Sequence, residues 1–476
     1  MVKLISALNN RRISDITCLQ EKLYIPPKGD LTNLGIQIIN NKDIYASNYS
    51  GICRLKDING NNIKNEEDET DVILKIEPRF SLSVIDMLNY IRSDDEFERY
   101  LAPQNIKQNQ EEKEINSLEM NELFHFYQNE PPIKVESGIA ENSSVITITL
   151  FLTMLKEICK KPLMGRMIKT QENLVGKVKG KILFKNHIRN NLSRGRNERV
   201  FSEYLNYSED IIENQILKAA LVKSKRFLIE YFKRYDSVKS NYKETISYCS
   251  KVLDPISTKK ISSKDLKSLK FSGFYKHYKP VINLAKMILD EISIHTNGRV
   301  TTTNYIIPYA ISMEKLFEFY IRAYLKNNGI ASYILKDHNR IFLHKYDDKK
   351  SIFTNTKTGM ANYIGGSVKP DIILENPNTK EVIIFDVKYK DYKNRRFARE
   401  DRLQLLTYAL MYNCPHVGLI FPLVKEGEDV KFIPQEIQSK QDRTIHYHQC
   451  LLDIERAIKD DDIEIVDYIQ QLFRNK

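Results

Sequence analysis

Asp371, Asp386 and Lys388 are the residues whose types and spacing can do chemistry together, and they fall in one stretch, residues 368–408, VKPDIILENPNTKEVIIFDVKYKDYKNRRFAREDRLQLLTY. The pattern predicts strands over 368–374 and 382–389, joined by a segment whose Asn376, Pro377 and Asn378 favour a reversal. If the strands pair antiparallel about an apex between Asn378 and Thr379, Asp371 stands opposite Asp386. Alternation then sets Lys388 on the same face as Asp386. The flanking runs Ile372-Ile373-Leu374 and Val382-Ile383-Ile384-Phe385 read as strands buried on both faces, where an unpaired carboxylate is costly. Two carboxylates on adjacent strands suit a hard divalent cation, because magnesium takes one or two carboxylates and completes its shell with water and phosphate oxygen. Beside such an ion, Lys388 would orient or deprotonate an attacking water, or stabilise charge developing on phosphorus.

Two helices must position these groups. Helical spacing over 398–411 puts Leu403, Leu406 and Leu410 on an apolar stripe and Gln404 and Tyr408, four apart, on another face. Upstream, residues 312–325 read as an amphipathic helix with Leu316, Phe317, Tyr320, Ile321 and Tyr324 on its core side, and with Glu314 and Glu318 one turn apart. Each group also has a plain structural reading. Asp371, Asp386 and Lys388 could form a buried ion pair, although such networks seldom add stability over apolar packing. Glu318 could pair with Arg322 at i, i+4, and Gln404 and Tyr408 could be ordinary surface residues.

The arrangement Pro370-Asp371, fourteen intervening residues, then Asp386-Val387-Lys388 resembles the PD-(D/E)XK nuclease motif. The following Gln404-x-x-x-Tyr408 helix resembles the subgroup related to the RecB nuclease domain. This resemblance implies metal-dependent phosphodiester hydrolysis with Mg2+, or Mn2+ in its place. Asp371 and Asp386 would be metal ligands, Lys388 the catalytic lysine, Gln404 and Tyr408 further site residues, and Glu318, rather than Glu314, an additional helical ligand.

The chain of 476 residues has room for two or three domains, each with its own core. A mixed α+β or α/β multidomain architecture is expected: a β-rich N-terminal domain over 1–140, a mostly helical region over 141–300, and a central mixed sheet flanked by helices over 301–476. Lys and Arg number 73 against 62 Asp and Glu, a net charge of +11, which suits phosphate-backbone binding. Ile, Asn and Lys are abundant throughout, so part of this charge reflects general composition. Six scattered cysteines without a C-x-x-C pair indicate neither a zinc site nor a disulfide framework and fit a reducing cytoplasm. The N-terminal apolar run is too short for a signal peptide, and no uninterrupted apolar run of spanning length is evident, so a soluble, cytoplasmic protein without a membrane is expected.

In chain order, residues 34–40 and 71–78 read as strands, and 83–91 as a helix burying Val84, Met87, Leu88 and Ile91. The charge-rich stretch 92–119 reads as a loop or insertion, or as a solvated helix. Beyond Ser144 an apolar segment, interrupted by Lys156, Glu157, Lys160 and Lys161, reads as a core helix. Residues 174–184 read as a strand, leading into a run with Arg189, Arg194, Arg196 and Arg199. These arginines, with Lys390, are candidate DNA-backbone contacts, and a solvated face is the alternative. Helices follow over 208–232 and 275–292. His446, His448 and Cys450 alternate as ligands on a strand might, but strand surface is the simpler reading, and Asp460, Asp461 and Asp462 begin or interrupt a last helix.

Several blocks in order resemble the McrC family, the nuclease subunits of McrBC restriction systems. They are Ile76-Glu77-Pro78-Arg79-Phe80, residues 85–90, residues 178–184, residues 210–221, Glu314-Lys315-Leu316-Phe317-Glu318 and the block around Asp386. The resemblance implies a prokaryotic defence protein acting on methylated double-stranded DNA with McrB, an AAA+ GTPase hexamer. It also implies stimulation of that GTPase through the N-terminal half, which inserts into the hexamer's pore. Sequence selection would belong to the partner, since no base-reading helix or zinc module is visible. Two other readings stand beside it: a regulatory subunit whose nuclease fold is only a DNA clamp, and a stand-alone repair or resolvase-type nuclease.

Overall fold

The computed structural model describes the chain apart from residues 1–2, 9–10, 14–21, 28, 40–42, 81–83, 93, 103–117, 121–122, 128–129, 235–241, 259–260, 262–268, 270, 272–274, 295–299, 303, 331–333, 336–340, 343–366, 369, 391–398, 424–431, 439–443, 459–462 and 475–476. Much of the charge-rich stretch, residues 103–117, and the acids Asp460, Asp461 and Asp462 thus lie outside the described residues. The chain is mixed α+β, as expected, and its contacts gather into two compact units. One comprises Met1–Phe97, Asn109–Ile133 and Ile307–Lys476, and the other Glu98–Gln108 and Lys134–Ile306.

The first unit holds two six-stranded sheets. One runs in the order Lys3–Leu8, Val72–Glu77, Tyr49–Arg54, Tyr309–Ser312, Phe124–Phe126, Leu118–Met120. Its fourth strand is contributed from far along the sequence and ends at Ser312, whose hydroxyl accepts from the Lys315 amide and caps the helix Met313–Asn327. The N-terminal sheet therefore leads directly into the helix that carries Glu318. Gly51 makes the splice possible. It pairs with Ala310, and a Cβ at this position would lie 2.0 Å from the Tyr309 carbonyl oxygen.

The other sheet runs in the order Ile334–Leu335, Ile372–Glu375, Val382–Val387, His416–Pro422, Thr444–Leu452, Phe432–Gln438. Ile372–Glu375 and Val382–Val387 form the expected hairpin, with Ile372 opposite Phe385 and Glu375 opposite Val382. Val382–Val387 then runs parallel to His416–Pro422, and the helix Arg399–Met411 makes the crossover that parallel strands require. Leu405, Tyr408 and Ala409 of that helix pack with Ile373, Ile384, Val417 and Leu419 of the sheet. The expected stripe is therefore displaced around the helix. Leu403 and Leu410 are exposed, and Asp401, Leu405, Tyr408 and Ala409 face inward. Here polarity did not mark the solvent side, because the polar groups of this helix are satisfied by residues of the sheet.

The helix Val84–Ile91 buries Val84, Met87, Leu88 and Ile91 as its spacing predicts. A second helix, Asp95–Tyr100, occupies part of the stretch expected as a loop or solvated helix.

In the second unit the helix Ser137–Cys159 begins eight residues before Val145, where the apolar run starts, and it is long and apolar enough to cross a membrane by length and composition. Its apolar window is 83% buried inside the unit. The hydroxyls of Thr147, Thr149 and Thr153 are satisfied by the carbonyl groups one turn back. Tyr278–Glu291 buries Ile282, Leu284, Met287 and Ile288 as its periodicity predicts. Arg166–Val175 and Arg199–Ser208 pair along their whole ten-residue lengths. The expected strand over 174–184 is interrupted: Gly176 and Gly180 both take φ of +65°, and pairing resumes only at Lys181–Ile182.

Candidate active site

Asp371 lies one residue before the strand Ile372–Glu375, and extending the observed register places it opposite Asp386. Both acids share the face that carries Ile373 and Ile384, toward the helix Arg399–Met411. Asp386 is 1% exposed, and Asp371 and Lys388 are half-buried. Lys388 Nζ stands 2.5 Å from Asp386 Oδ2 and donates to Gln404 Oε1 at 3.3 Å. Gln404 Nε2 donates to Tyr408 Oη at 2.7 Å, and Tyr408 Oη donates to Asp386 Oδ1 at 3.5 Å. The four side chains thus close a ring of contacts at the end of the strand Val382–Val387. The Gln404–Tyr408 spacing supplies the helical half of that ring.

Asp371 is held from both sides. Its Oδ2 accepts from the Val387 amide at 2.8 Å, and its carbonyl oxygen accepts from Arg322 Nη1. Arg322, 2% exposed, also grips Glu96 through Nε at 2.9 Å and Nη2 at 2.8 Å, while Lys326 reaches Asp94 at 3.0 Å. The i, i+4 pair of Glu318 with Arg322 is not formed. Glu318 is buried and pairs instead with Lys315. Glu314 is exposed and accepts from Asn48 at 3.3 Å.

The electrostatics follow from this crowding. Burial pushes the Asp371 carboxyl well above the usual carboxylate range, and the charges of Asp386 and Glu318 and a hydrogen bond with Asp386 add to it, against the Val387 amide. Burial alone would lower Lys388, but the Asp386 charge, their hydrogen bond, and the charges of Asp371 and Asp401 outweigh it and hold the ammonium form. Burial likewise pushes the Tyr408 hydroxyl up, so it stays a donor.

Two carboxylates forced together in a buried place, where burial and mutual repulsion both disfavour the second charge, are a site that a divalent cation relieves, and their oxygen donors suit a hard ion. Among the described residues no three His, Cys, Asp or Glu are gathered as a complete metal cage. The fit is therefore of two carboxylates, with Glu318 acting on Asp371 through its charge, and with water and phosphate left to complete a shell.

Lys388 and Gln404 open onto a cleft of about 1180 Å³, and Lys390, also on its wall, is paired with Asp401 at 2.5 Å. Arg189, Arg194, Arg196 and Arg199 lie elsewhere, near the Gly195 turn that precedes Arg199–Ser208 in the second unit. Arg189, Arg194 and Arg196 are exposed there. His448 corrects the strand-surface reading of the His446–Cys450 run. It is 3% exposed, between His416 Nδ1 at 3.0 Å and Tyr468 Oη at 2.8 Å.

The sequence reading missed Lys315 and the hold of Arg322 on Asp371. The available signal for Arg322 was an arginine on the otherwise apolar face of a core helix, where it must find a buried partner.

The family model described as "McrBC 5-methylcytosine restriction system component" matches residues 73–422, a span that contains Glu318, Asp371, Asp386, Lys388, Gln404 and Tyr408. The chain belongs to this family. No curated protein matches it. Two McrBC assemblies of Thermococcus gammatolerans are among the similar solved structures. The first is described as a refined half-complex from the tetradecameric assembly of McrB AAA+ hexamers with bound McrC, with 16% identity over 96% of this chain and 99% of that one and a TM-score of 0.36. The second, a cryo-EM structure of the McrBC complex, gives 15% identity over 68% and 88%, with a TM-score of 0.28. Superpositions this loose carry no assignment for McrBC-family features of this chain, and the family match stands on its own.

Proposed function

We propose that this McrBC-family chain is the nuclease subunit of a modification-dependent restriction system, hydrolysing phosphodiester bonds of methylated double-stranded DNA with Mg2+. On this reading the second sheet of the first unit is a PD-(D/E)XK domain. The observation that carries it is the convergence of Asp371 and Asp386, in the register the hairpin imposes, with the Lys388 ammonium held against Asp386.

Asp371 and Asp386 would hold the ion, which when bound supplies Lewis-acid activation of the scissile phosphate and of water. The chain's own groups do the rest. Lys388, kept cationic, neutralises charge that builds on the phosphoryl oxygens, a role favoured over proton abstraction by its ion pair. Gln404 and Tyr408 fix the Lys388 and Asp386 side chains from the crossover helix. Arg322 and the Val387 amide hold Asp371 in place.

Partnership with an McrB-like AAA+ GTPase in the cytoplasm completes the proposal. It is supported by the family match and by the paired strands Arg166–Val175 and Arg199–Ser208, which leave Met167, Val175, Leu205 and Tyr207 more than half exposed, with Phe184 67% exposed beside them. Apolar side chains exposed on a small three-stranded ribbon are the kind of surface a partner covers. The same ribbon would serve a purely regulatory subunit, so the decisive test is cleavage. The chain, purified with its AAA+ partner, should cut methylated plasmid only when both Mg2+ and GTP are present. Stimulated GTP hydrolysis without any cutting would favour the regulatory reading.

A further inference from the structure

We propose that Arg79, from the N-terminal part of the chain, is a phosphate-binding residue of this centre, and that Tyr389 positions it. The proposal rests on the nuclease reading above.

The strand Val72–Glu77 stops where Pro78 removes a ladder donor and fixes φ, turning Arg79 and Phe80 out of the N-terminal sheet. Phe80 meets Tyr389 edge to face, with ring centroids 4.9 Å apart and planes at 89°. Tyr389 is 4% exposed, packs on Phe317 at 5.6 Å, and has the backbone amides of Phe80 and Arg79 close to its hydroxyl. The Arg79 guanidinium sits 5.7 Å from the Phe80 ring centre. A continuous stack therefore runs from the Glu318 helix through Tyr389 and Phe80 to Arg79.

Tyr389 directly follows Lys388, just past the end of the strand Val382–Val387. Arg79 and Lys388 line the same cleft of about 1180 Å³, with Arg11, Arg12 and Lys390 also on its walls. Of these, Lys390 is paired with Asp401 and Arg12 with Asp43, and Asp30, Glu314 and Glu400 add negative charges to the cleft, so it is not a uniform positive field. What Arg79 adds is a planar fork on a fixed aromatic support at the wall of the Lys388 cleft. A guanidinium suits the paired oxygens of a phosphodiester better than an ammonium does. The ligand class is the nucleic-acid backbone, and the residue would set substrate register without taking part in bond breaking.

The test measures binding by the full-length chain of a fluorescent DNA duplex across a salt series, with Mn2+ binding measured in parallel by calorimetry. Arg79→Gln should weaken duplex binding on the order of tenfold and lower the salt slope by about one, with Mn2+ affinity unchanged. Arg79→Lys should restore the slope but not the whole affinity, which guards against a folding defect in the Gln variant. Tyr389→Ala should reproduce the loss of slope. Unchanged affinity and slope in Arg79→Gln, while wild type binds both DNA and Mn2+, would overturn this proposal alone. A wild-type chain that binds neither would overturn the nuclease reading and this proposal with it.

Discussion

Arg322 holds the backbone of Asp371: its Nη1 donates to the Asp371 carbonyl oxygen while Nε and Nη2 clasp Glu96 at 2.9 and 2.8 Å. A charged side chain 2% exposed on the Glu318 helix thus ties a metal-ligand candidate to the segment just after the helix Val84–Ile91.

Removing that tie should be costly. Arg322→Met removes the guanidinium that clasps the buried Glu96 carboxylate, leaving Lys326 at 3.4 Å, and should destabilise the fold by about 3–5 kcal/mol in urea denaturation. The double variant Glu96→Gln/Arg322→Met should recover part of that loss, because the orphaned charge is gone. A double variant no more stable than the single one would show that the charge pairing is not the source of the cost.

Asp371 should be a liability for stability and a requirement for function. A carboxyl whose pKa is raised by folding contributes stability that is complete below its unfolded value of roughly 3.9 and is lost as the pH rises through the folded value. At neutral pH without a divalent cation it is therefore unfavourable. Asp371→Asn should raise the melting temperature at neutral pH in the absence of a divalent cation and abolish cleavage. Added Mg2+ should raise the melting temperature of wild type and leave the Asn variant unmoved.

Acid lability should trace in part to His448. Burial, with the charges of His416 and His446, pushes its pKa down from 6.5 to about 3. The folded state keeps it neutral while the unfolded chain takes a proton, so stability is whole above pH 6.5 and falls as the pH drops toward 3. The slope is about 1.4 kcal/mol per pH unit for one proton. His448→Gln should flatten stability against pH across that window, measured by urea midpoints in buffers spanning it.

Gly51 should tolerate no side chain. A Cβ 2.0 Å from the Tyr309 carbonyl forces the strands Tyr49–Arg54 and Tyr309–Ser312 apart, so Gly51→Ala should cost about 3 kcal/mol or more. Calorimetric melts of the two proteins side by side give the comparison.

The hairpin was legible because its turn residues separate two short apolar runs, and the observed register, centred between Asn378 and Thr379 as expected, brings Asp371 opposite Asp386. The place of the Glu318 helix was legible, and Leu316, Phe317, Tyr320, Ile321 and Tyr324 are buried as their spacing predicts, but Glu318, Phe319, Arg322, Ala323 and Leu325 are buried too, so the helix is not the one-sided amphipathic element expected. The crossover helix was read with the wrong face inward, since a site that satisfies Asp401, Gln404 and Tyr408 internally removes the polarity contrast on which periodicity depends. Which distant stretches meet was not legible, even where, as at Arg322, a buried charge signalled that a partner must exist. The splice of Tyr309–Ser312 into the N-terminal sheet, the Arg322–Glu96 pair and the Phe80–Tyr389 contact each join residues too far apart in sequence for spacing to reveal.

The central claim is that Asp371 and Asp386 form a cutting centre separable from partner activation. Its most direct test compares wild type with Asp386→Ala, each purified with the neighbouring AAA+ subunit and given GTP, Mg2+ and methylated plasmid. Loss of cleavage with GTP hydrolysis still stimulated is the predicted result. Cleavage by Asp386→Ala at the wild-type rate would contradict the account and move the chemistry elsewhere.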